Sequence, residues 1–261
     1  MPYQYIKQCW NDFLQKKGLP ITKKTPIPIL WFGNYDEYMA SEVKVLTVGL
    51  NPSSMEFKQK RNSLQWDVRV RFPKAASLVN KVILDKNDLF LYKSSMSEYF
   101  TTENNYWNWF KYNERILTAL GASYKIHDKN RALHIDIYSP IATDPTWGGL
   151  NHAQKKQLMQ SCGYDFKQFV SFLNPDIIVV SANAAEVASN FINYQGNACV
   201  KNNCNSCIPN CNGRYDPYIR GYRLQNNSKL IWVKNCNGKP LMDIISDSDV
   251  YAKVNYVYSK L

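Results

Sequence analysis

Several features that would divide the chain or place it at a membrane are missing from the sequence. It has no Gly/Ser- or Pro-rich linker, no internal repeat and no low-complexity tract, so residues 1–261 predict a single domain. The longest apolar runs, such as Ile177 to Val180, are far too short to cross a bilayer. The amino terminus has no basic segment followed by an apolar one, which argues against a secretory signal. We therefore expect a cytoplasmic monomer that does not bind membranes.

Acidic residues are also scarce relative to basic ones. Lysine and arginine number 32 against 21 aspartates and glutamates, which gives a formal net charge of +11. A basic surface gains counterion-release free energy on phosphates, so the excess indicates a polyanionic partner, with a generally basic protein as the alternative. Aromatic residues make up 14% of the chain, and rings beside basic groups suit base stacking, although most rings of a protein lie in its core. Charge and rings together favour a nucleic acid, such as single- or double-stranded DNA, as the partner.

Short apolar runs alternate with segments of helical periodicity along the chain. Strands are predicted at residues 43–50, 132–139, 176–181 and 230–234, and helices at 3–17, 73–84, 105–120, 152–173, 182–191 and 250–261. This order predicts a three-layer α/β/α fold with a four-stranded, mostly parallel sheet. Ligands of such sheets bind beyond the carboxyl ends of the strands, where the unusual polar residues of this chain fall.

The first predicted strand runs directly into the loop Gly49-Leu50-Asn51-Pro52-Ser53-Ser54. This loop resembles the Gly-x-Asn-Pro motif of the uracil-DNA glycosylase superfamily. The later segments follow in the order that this superfamily shows: the strand Leu133 to Pro140, the strand after Asn174-Pro175 with its alanine-rich helix, and the strand Leu230 to Lys234 with a polar turn. The resemblance covers about residues 43–245, and only the first motif is close to a signature.

The resemblance implies a monofunctional glycosylase that flips a base out of DNA and hydrolyses its glycosidic bond. By resemblance, Asn51 orients the attacking water through its amide oxygen, and the neighbouring Pro52 and Ser53 contact the substrate. A flipped base needs an aromatic face, for which Phe57 and Phe72 are the candidates, with Trp66 behind them. For each ring taken alone, ordinary core packing is the preferred interpretation. No lysine stands at a motif position that would require Schiff-base chemistry.

The second strand carries the candidate that reads the base. Where the superfamily reads uracil, an asparagine usually stands near the end of this strand, and the nearest position here is Asp136. An ionised carboxylate only accepts hydrogen bonds, so it would repel O4 of uracil and accept from N4 of cytosine. A protonated Asp136 could instead donate, and a capping role is the structural alternative. His134 lies on the same face of the strand and could assist or be a buried structural residue.

Two further loops contribute candidates. Asp144 follows the second strand and could contact the sugar or the water, although Asp-Pro also initiates ordinary turns. The loop Asn235 to Pro240 corresponds by resemblance to the loop that enters the DNA, and it has no histidine to stabilise the leaving base. Asn235 or Asn237 would have to donate instead, with Lys239 as a substrate contact, and a plain turn is the alternative.

Four of the seven cysteines cluster in a polar segment, the insertion at about residues 196–215. They are Cys199, Cys204, Cys207 and Cys211, a density that indicates metal ligands sooner than disulfides in a cytosolic protein. Four thiolates can close a tetrahedral structural zinc site, an iron–sulfur cluster is the second choice, and a loop of free thiols is the third possibility. The expected catalytic chemistry needs no cofactor.

These patterns predict a DNA glycosylase that leaves an abasic site. Asp136 favours a modified cytosine over uracil, and one branch of the superfamily removes glucosylated hydroxymethylcytosine from phage DNA as a defence. A uracil-DNA glycosylase of base-excision repair is the first alternative. The alternative from another class is a non-catalytic, zinc-containing DNA-binding protein.

Overall fold

The computed structural model describes residues 1–59, 64–103, 105–125, 130–160, 163–192, 198–200, 219–224, 226–233 and 246–261. These residues form two compact units, and each unit is assembled from separate stretches of chain. Unit 1 comprises Met1–Asp36, Leu50–Tyr106 and Leu133–Phe172, and unit 2 comprises Glu37–Gly49, Trp107–Ala132 and Leu173–Leu261. Within the described ranges, no helix is both long and apolar enough to span a membrane. The expectation of one domain stays a prediction.

Unit 2 is built on a mixed β-sheet. Its strands are β1 (Val45–Gly49), β2 (Ala122–Ser123), β3 (Asn130–Asp136), β4 (Ile177–Val180), β5 (Ala198–Val200), β6 (Ile219–Arg223) and β7 (Lys229–Val233). The order is β2-β3-β1-β4-β7-β6-β5, and the last four residues of β3 belong to unit 1. The strands β1, β4 and β7 pair in parallel, whereas β5 and β6 are antiparallel to their neighbours.

The strands β1 and β4 are buried along their whole length, which explains their continuous apolar sequences. Helices α4 (Trp107–Ala119) and α8 (Asp247–Ser259) complete unit 2 with the short α7 (Ala184–Val187). Gly221 on β6 permits the closest approach of α8, because a Cβ atom there would lie 2.5 Å from a methyl group of Val257. The hydroxyl of Ser246 caps α8 by accepting from the amide of Asp249.

Unit 1 consists mainly of helices and loops around its own core. Its helices are α1 (Tyr3–Lys16), α3 (Lys86–Ser97), α5 (His152–Met159) and α6 (Phe166–Leu173), the last residue of which belongs to unit 2. The short α2 (Tyr35–Ala40) crosses the boundary between the units in sequence. One core cluster joins Phe13 of α1 to Ile141 and Trp147 of the loop after β3 and to Leu158 of α5.

The α/β class is confirmed, and each of the four predicted strands is present. The prediction that the sheet has only four strands is wrong, because the described residues form seven. The described residues add β2, β5 and β6, which are short, or contain Gly221, and so give little strand signal. The single helix predicted at residues 152–173 is two helices, α5 and α6, in the structure. The helix predicted at residues 73–84 is a 3₁₀ turn, Pro73–Leu78, and the next helix, α3, was not predicted.

Candidate active site

The loop after β1 is held by the loop after β3. The amide of Ser54 donates to the carbonyl of Thr143 at 3.1 Å, and the amide of Thr143 donates to the carbonyl of Pro52 at 3.2 Å. Ser53 extends this arrangement, because its hydroxyl accepts from the amide of Met55 and caps the 3₁₀ turn Ser54–Phe57. The backbone on the carboxyl side of Asn51 is therefore fixed by hydrogen bonds within unit 1.

The side chain of Asn51 is anchored through its nitrogen. Nδ2 donates to the hydroxyl of Thr143 at 3.0 Å, to the carbonyl of Pro52 at 3.0 Å and to the carbonyl of Ile141 at 3.4 Å. Because two of these partners are carbonyl oxygens, only the nitrogen of the amide can face them, which fixes the orientation of the amide group. The opposite atom, Oδ1, is buried and accepts no hydrogen bond from the described chain.

An unpaired buried acceptor is rare and unfavourable, by about 1–3 kcal/mol. In Asn51 the two hydrogens of Nδ2 are directed at three acceptors, so the loop holds Oδ1 in one direction, without a partner in the described chain. A water molecule is the smallest group that could donate to it. The arrangement can therefore position a water, and asparagine, which does not titrate, would orient the water without deprotonating it.

Asp136 lies at the carboxyl end of β3 and is 5% exposed. His134 is also buried, and its Nε2 lies 3.8 Å from the Asp136 Oδ1. Two residues beyond Asp136, the amide of Tyr138 donates to the carbonyl of Leu50 at 3.0 Å. The chain that follows Asp136 is thus hydrogen-bonded to the residue immediately before Asn51.

A second buried carboxyl, that of Glu56, lies close enough to Asp136 to be affected by its charge. Glu56 is 3% exposed, and its Oε2 accepts from the hydroxyl of Tyr99 at 2.7 Å. Burial raises the pKa of Glu56 from 4.5 to about 7, the charge of Asp136 adds to the rise, and Arg71 and the Tyr99 hydroxyl oppose it. Near neutral pH the carboxyl of Glu56 is therefore protonated in about half of the molecules.

Arg71 ties this acid to the backbone of the motif loop. Its Nη1 donates to the carbonyls of Met55, Glu56 and Lys58 at 2.7 to 2.8 Å. Its Nε lies 3.6 Å from the Glu56 Oε2 and makes no hydrogen bond within the described residues. The guanidinium thus neutralises Glu56 only partly, which is why desolvation dominates the pKa of that group.

The rings proposed to receive a flipped base lie inside this cluster. Phe57 and Phe72 are fully buried, with ring centroids 5.8 Å apart, and Phe72 stacks on Tyr99 at 5.5 Å. The ring of Phe32 lies 5.6 Å from that of His134. The structure brings these rings next to the two carboxyls, but packs Phe57 and Phe72 against other aromatic side chains rather than against solvent.

Asp144 and Trp66 belong to a different part of unit 1. Asp144 forms an ion pair with Lys24. Trp66 packs under two ammonium groups, those of Lys24 and Lys58, at 4.4 and 4.2 Å from the ring centroid. Asp144 directly follows Thr143, the residue whose hydroxyl accepts a hydrogen bond from Asn51. The ion pair of Asp144 is therefore one residue away from an anchor of the motif loop.

Several predicted residues lie outside the described residues. These are Asn235, Asn237 and Lys239 of the last loop, and Cys204, Cys207 and Cys211 of the cysteine cluster. Cys199 lies in β5, paired with Tyr222 of β6. The described residues contain no group of three histidine, cysteine, aspartate or glutamate side chains that could hold a metal ion. The other three cysteines of the cluster are not among these residues. Zinc binding stays a prediction.

Sequence reasoning missed Glu56, Arg71 and Tyr99. A glutamate between Met55 and Phe57, directly after the motif, is a signal that could have been used, because a charge beside an apolar residue at a ligand loop is a candidate buried acid. Arg71 and Tyr99 give no such signal, since only the tertiary structure brings them to Glu56.

Comparisons with protein-family models, with curated proteins and with solved structures find no match to this chain. The resemblance to the uracil-DNA glycosylase superfamily therefore stays a prediction from the quoted residues.

Proposed function

We propose that this protein is a monofunctional DNA glycosylase with a three-layer α/β/α fold of the uracil-DNA glycosylase type. It would extrude a base from DNA and hydrolyse its N-glycosidic bond, which leaves an abasic site. The observation that carries the proposal is the side chain of Asn51, whose nitrogen is held by Pro52, Ile141 and Thr143 while its buried oxygen has no partner in the described chain.

Hydrolysis of a glycosidic bond proceeds through a sugar with oxocarbenium character, so the enzyme must hold a water at C1′ and stabilise the leaving base. Asn51 serves the first need, because Oδ1 accepts one hydrogen of the water and directs its lone pair. The loop Asn235 to Pro240 serves the second in this proposal, with Asn235 or Asn237 as donor to the base.

The preferred substrate in this proposal is a modified cytosine. Asp136, ionised, would accept from the exocyclic N4 amino group, and a neutral Glu56 beside it would avoid two adjacent negative charges. A cytosine derivative confined to foreign DNA, such as glucosylated hydroxymethylcytosine of phages, is a substrate that such an enzyme could remove without damaging the DNA of its own cell.

The experiment is a base-release assay on matched duplexes that contain uracil, hydroxymethylcytosine or glucosylated hydroxymethylcytosine, with alkali cleavage at the abasic site as readout. Release of a cytosine derivative is expected. Release of uracil alone would contradict the role given to Asp136 and keep the glycosylase. No release from any duplex, with protein in excess, would contradict the glycosylase and favour a DNA-binding protein.

Asp136→Asn tests the base-reading step separately. An amide can donate to O4 of uracil, so this variant should shift the ratio of uracil release to cytosine-derivative release upward by roughly 10- to 100-fold, the discrimination of one well-placed base contact. Asp165→Asn, at an exposed aspartate of the same unit, is the matched control. Equal ratios in Asp136→Asn and the control would show that Asp136 does not read the base.

A further inference from the structure

A cleft of about 580 Å³ in unit 1 has not been used by the proposed chemistry. Its charged lining consists of Lys17, Lys23, Lys24 and Lys81, and none of the described residues that line it is acidic. Phe13 and Trp66 form apolar parts of the wall. We call this feature the lysine cleft.

The four lysines differ in how far they are neutralised. Lys24 pairs with Asp144, and Lys81 pairs with Asp88 at 2.5 Å. Lys17 and Lys23 are exposed, and no carboxylate of the described chain lies within ion-pair distance of either ammonium group. The lysine cleft therefore presents two uncompensated positive charges in a concave site, where a low-dielectric wall strengthens their field.

Trp66 provides a second, independent observation. The ammonium groups of Lys24 and Lys58 lie against its ring, and of these two lysines Lys24 lines the cleft. The indole Nε1 is buried and finds no acceptor among the described residues. An anion in the cleft would neutralise the ammonium groups of Lys17 and Lys23, whereas a cation or an apolar ligand would not.

The lysine cleft is joined to the loop that holds Asn51. The hydroxyl of Thr25 donates to the carbonyl of Ala142 at 2.6 Å, and the amide of Asp144 donates to the carbonyl of Ile21 at 2.9 Å. Thr143, which lies between these two residues, anchors the Asn51 amide. The wall of the cleft is therefore hydrogen-bonded to the segment that borders the proposed water site.

From these contacts we propose that the lysine cleft binds the sugar-phosphate backbone of the substrate DNA and places the strand beside the Asn51 loop. The choice of DNA as the polyanion rests on the proposed function. Phosphates of a single strand or of a duplex share this chemistry, and the two are separated by the test.

The test measures binding of labelled single-stranded and duplex oligonucleotides of equal length by fluorescence anisotropy between 50 and 300 mM salt, values chosen to span roughly the range in which phosphate contacts dominate. The cleft variant is Lys17→Gln/Lys23→Gln. The control is Lys86→Gln/Lys156→Gln, which removes the same charge from two exposed lysines of unit 1 outside the cleft.

Loss of two phosphate contacts should weaken binding by about 20-fold or more at 0.1 M salt and lower the salt slope by about 1.4 on a single strand or about 1.8 on a duplex. The control should bind like the unmodified protein. The form of DNA that shows the larger loss is the one that occupies the cleft. Equal affinities of the cleft and control variants, or no binding of either DNA by the unmodified protein, would overturn the proposal.

A second measurement does not depend on any variant. Acetylation of lysines in the unmodified protein, read by mass spectrometry, should fall at Lys17 and Lys23 when the oligonucleotide is added and stay unchanged at Lys86 and Lys156. Base release is measured separately. If base release occurs and the cleft and control variants bind DNA alike, the cleft proposal is contradicted and the glycosylase proposal is retained. If DNA binds in the cleft and no base is released, the glycosylase proposal is contradicted and the cleft proposal is retained.

Discussion

Two buried acid–base pairs of unit 1 differ in how completely they are satisfied. Lys16 donates to the Asp12 carboxylate at 2.8 and 2.9 Å and to the carbonyl of Leu158 at 2.7 Å, so all three groups are paired. This pair joins α1 to the end of α5. It is the arrangement expected of a purely structural contact, since each buried charge meets its partner at hydrogen-bond distance.

The pair of Glu56 and Arg71 is built differently. Arg71 directs one nitrogen to three backbone carbonyls, and its Nε stays 3.6 Å from the Glu56 carboxylate. Burial raises the pKa of Glu56 to about 7, and the charge of Arg71 opposes this rise only in part. Incomplete pairing of a buried acid beside a candidate base-reading residue is typical of a functional site, in which the protein stabilises an arrangement that is unfavourable by itself.

Removal of one charged partner should lower the free energy of unfolding most in the fully paired Asp12 and Lys16. Lys16→Met leaves Asp12 buried without a counter-ion, so we expect the free energy of unfolding to fall by about 3–5 kcal/mol, measured by urea denaturation at neutral pH. The double variant Asp12→Asn/Lys16→Met removes both charges and should recover most of the loss. A fall of less than about 1 kcal/mol in the single variant would contradict the buried pairing.

The raised pKa of Glu56 should make the free energy of unfolding depend on pH. Because the pKa of Glu56 is about 7 in the folded protein and 4.5 as its ordinary value, the folded state keeps a proton that the unfolded state has lost between these pH values. Rising pH therefore favours unfolding across this window. Glu56→Gln lacks this penalty, so its stability relative to the unmodified protein should improve by up to about 3 kcal/mol from pH 4 to pH 8.

The measurement is urea denaturation of both proteins at several pH values between these limits. Glu98→Gln, at an exposed glutamate that pairs with Lys74, is the control and should follow the unmodified protein closely. A stability difference between Glu56→Gln and the unmodified protein that does not change with pH would show that folding does not raise the pKa of Glu56.

The smallest expected effect concerns the anchor of Asn51. Thr143→Val keeps the shape of the side chain and removes the hydroxyl that accepts from Nδ2, which leaves the Pro52 and Ile141 carbonyls as partners. Base release should fall by roughly three- to tenfold, as for one lost hydrogen bond, with DNA affinity unchanged. Thr143→Ser, which keeps a hydroxyl, should restore the rate, and failure to do so would exclude the anchoring role.

The predictable part of the fold is the part with strong local signals. The apolar runs of β1, β4 and β7 identify buried parallel strands, and the periodicity of α1 identifies that helix. Helix α3 was missed because its apolar residues do not line one face. It begins at a capping box in which Asp85 and Asp88 exchange side-chain and backbone hydrogen bonds, a local signal that was available in the sequence.

In the candidate site too, the residues with a local sequence signal were predicted and the others were not. Asn51 was identified because the Gly49 to Ser54 motif is contiguous in sequence, and Asp136 because it ends a predicted strand. The contacts that give these residues their properties are not local: Thr143 reaches Asn51 across 92 positions and Tyr99 reaches Glu56 across 43. Such pairings follow from the packing of the whole unit, and single-sequence patterns do not contain them.

The central claim is that Asn51 orients the hydrolytic water, and single-turnover base release by Asn51→Ala tests it most directly. With the substrate identified by the duplex panel, the rate should fall by roughly 100-fold or more, because the positioning contact is removed, while DNA affinity stays within about twofold. Asn87→Ala, at an exposed asparagine of α3, is the matched control and should keep the full rate. A rate for Asn51→Ala equal to that of this control would contradict the account.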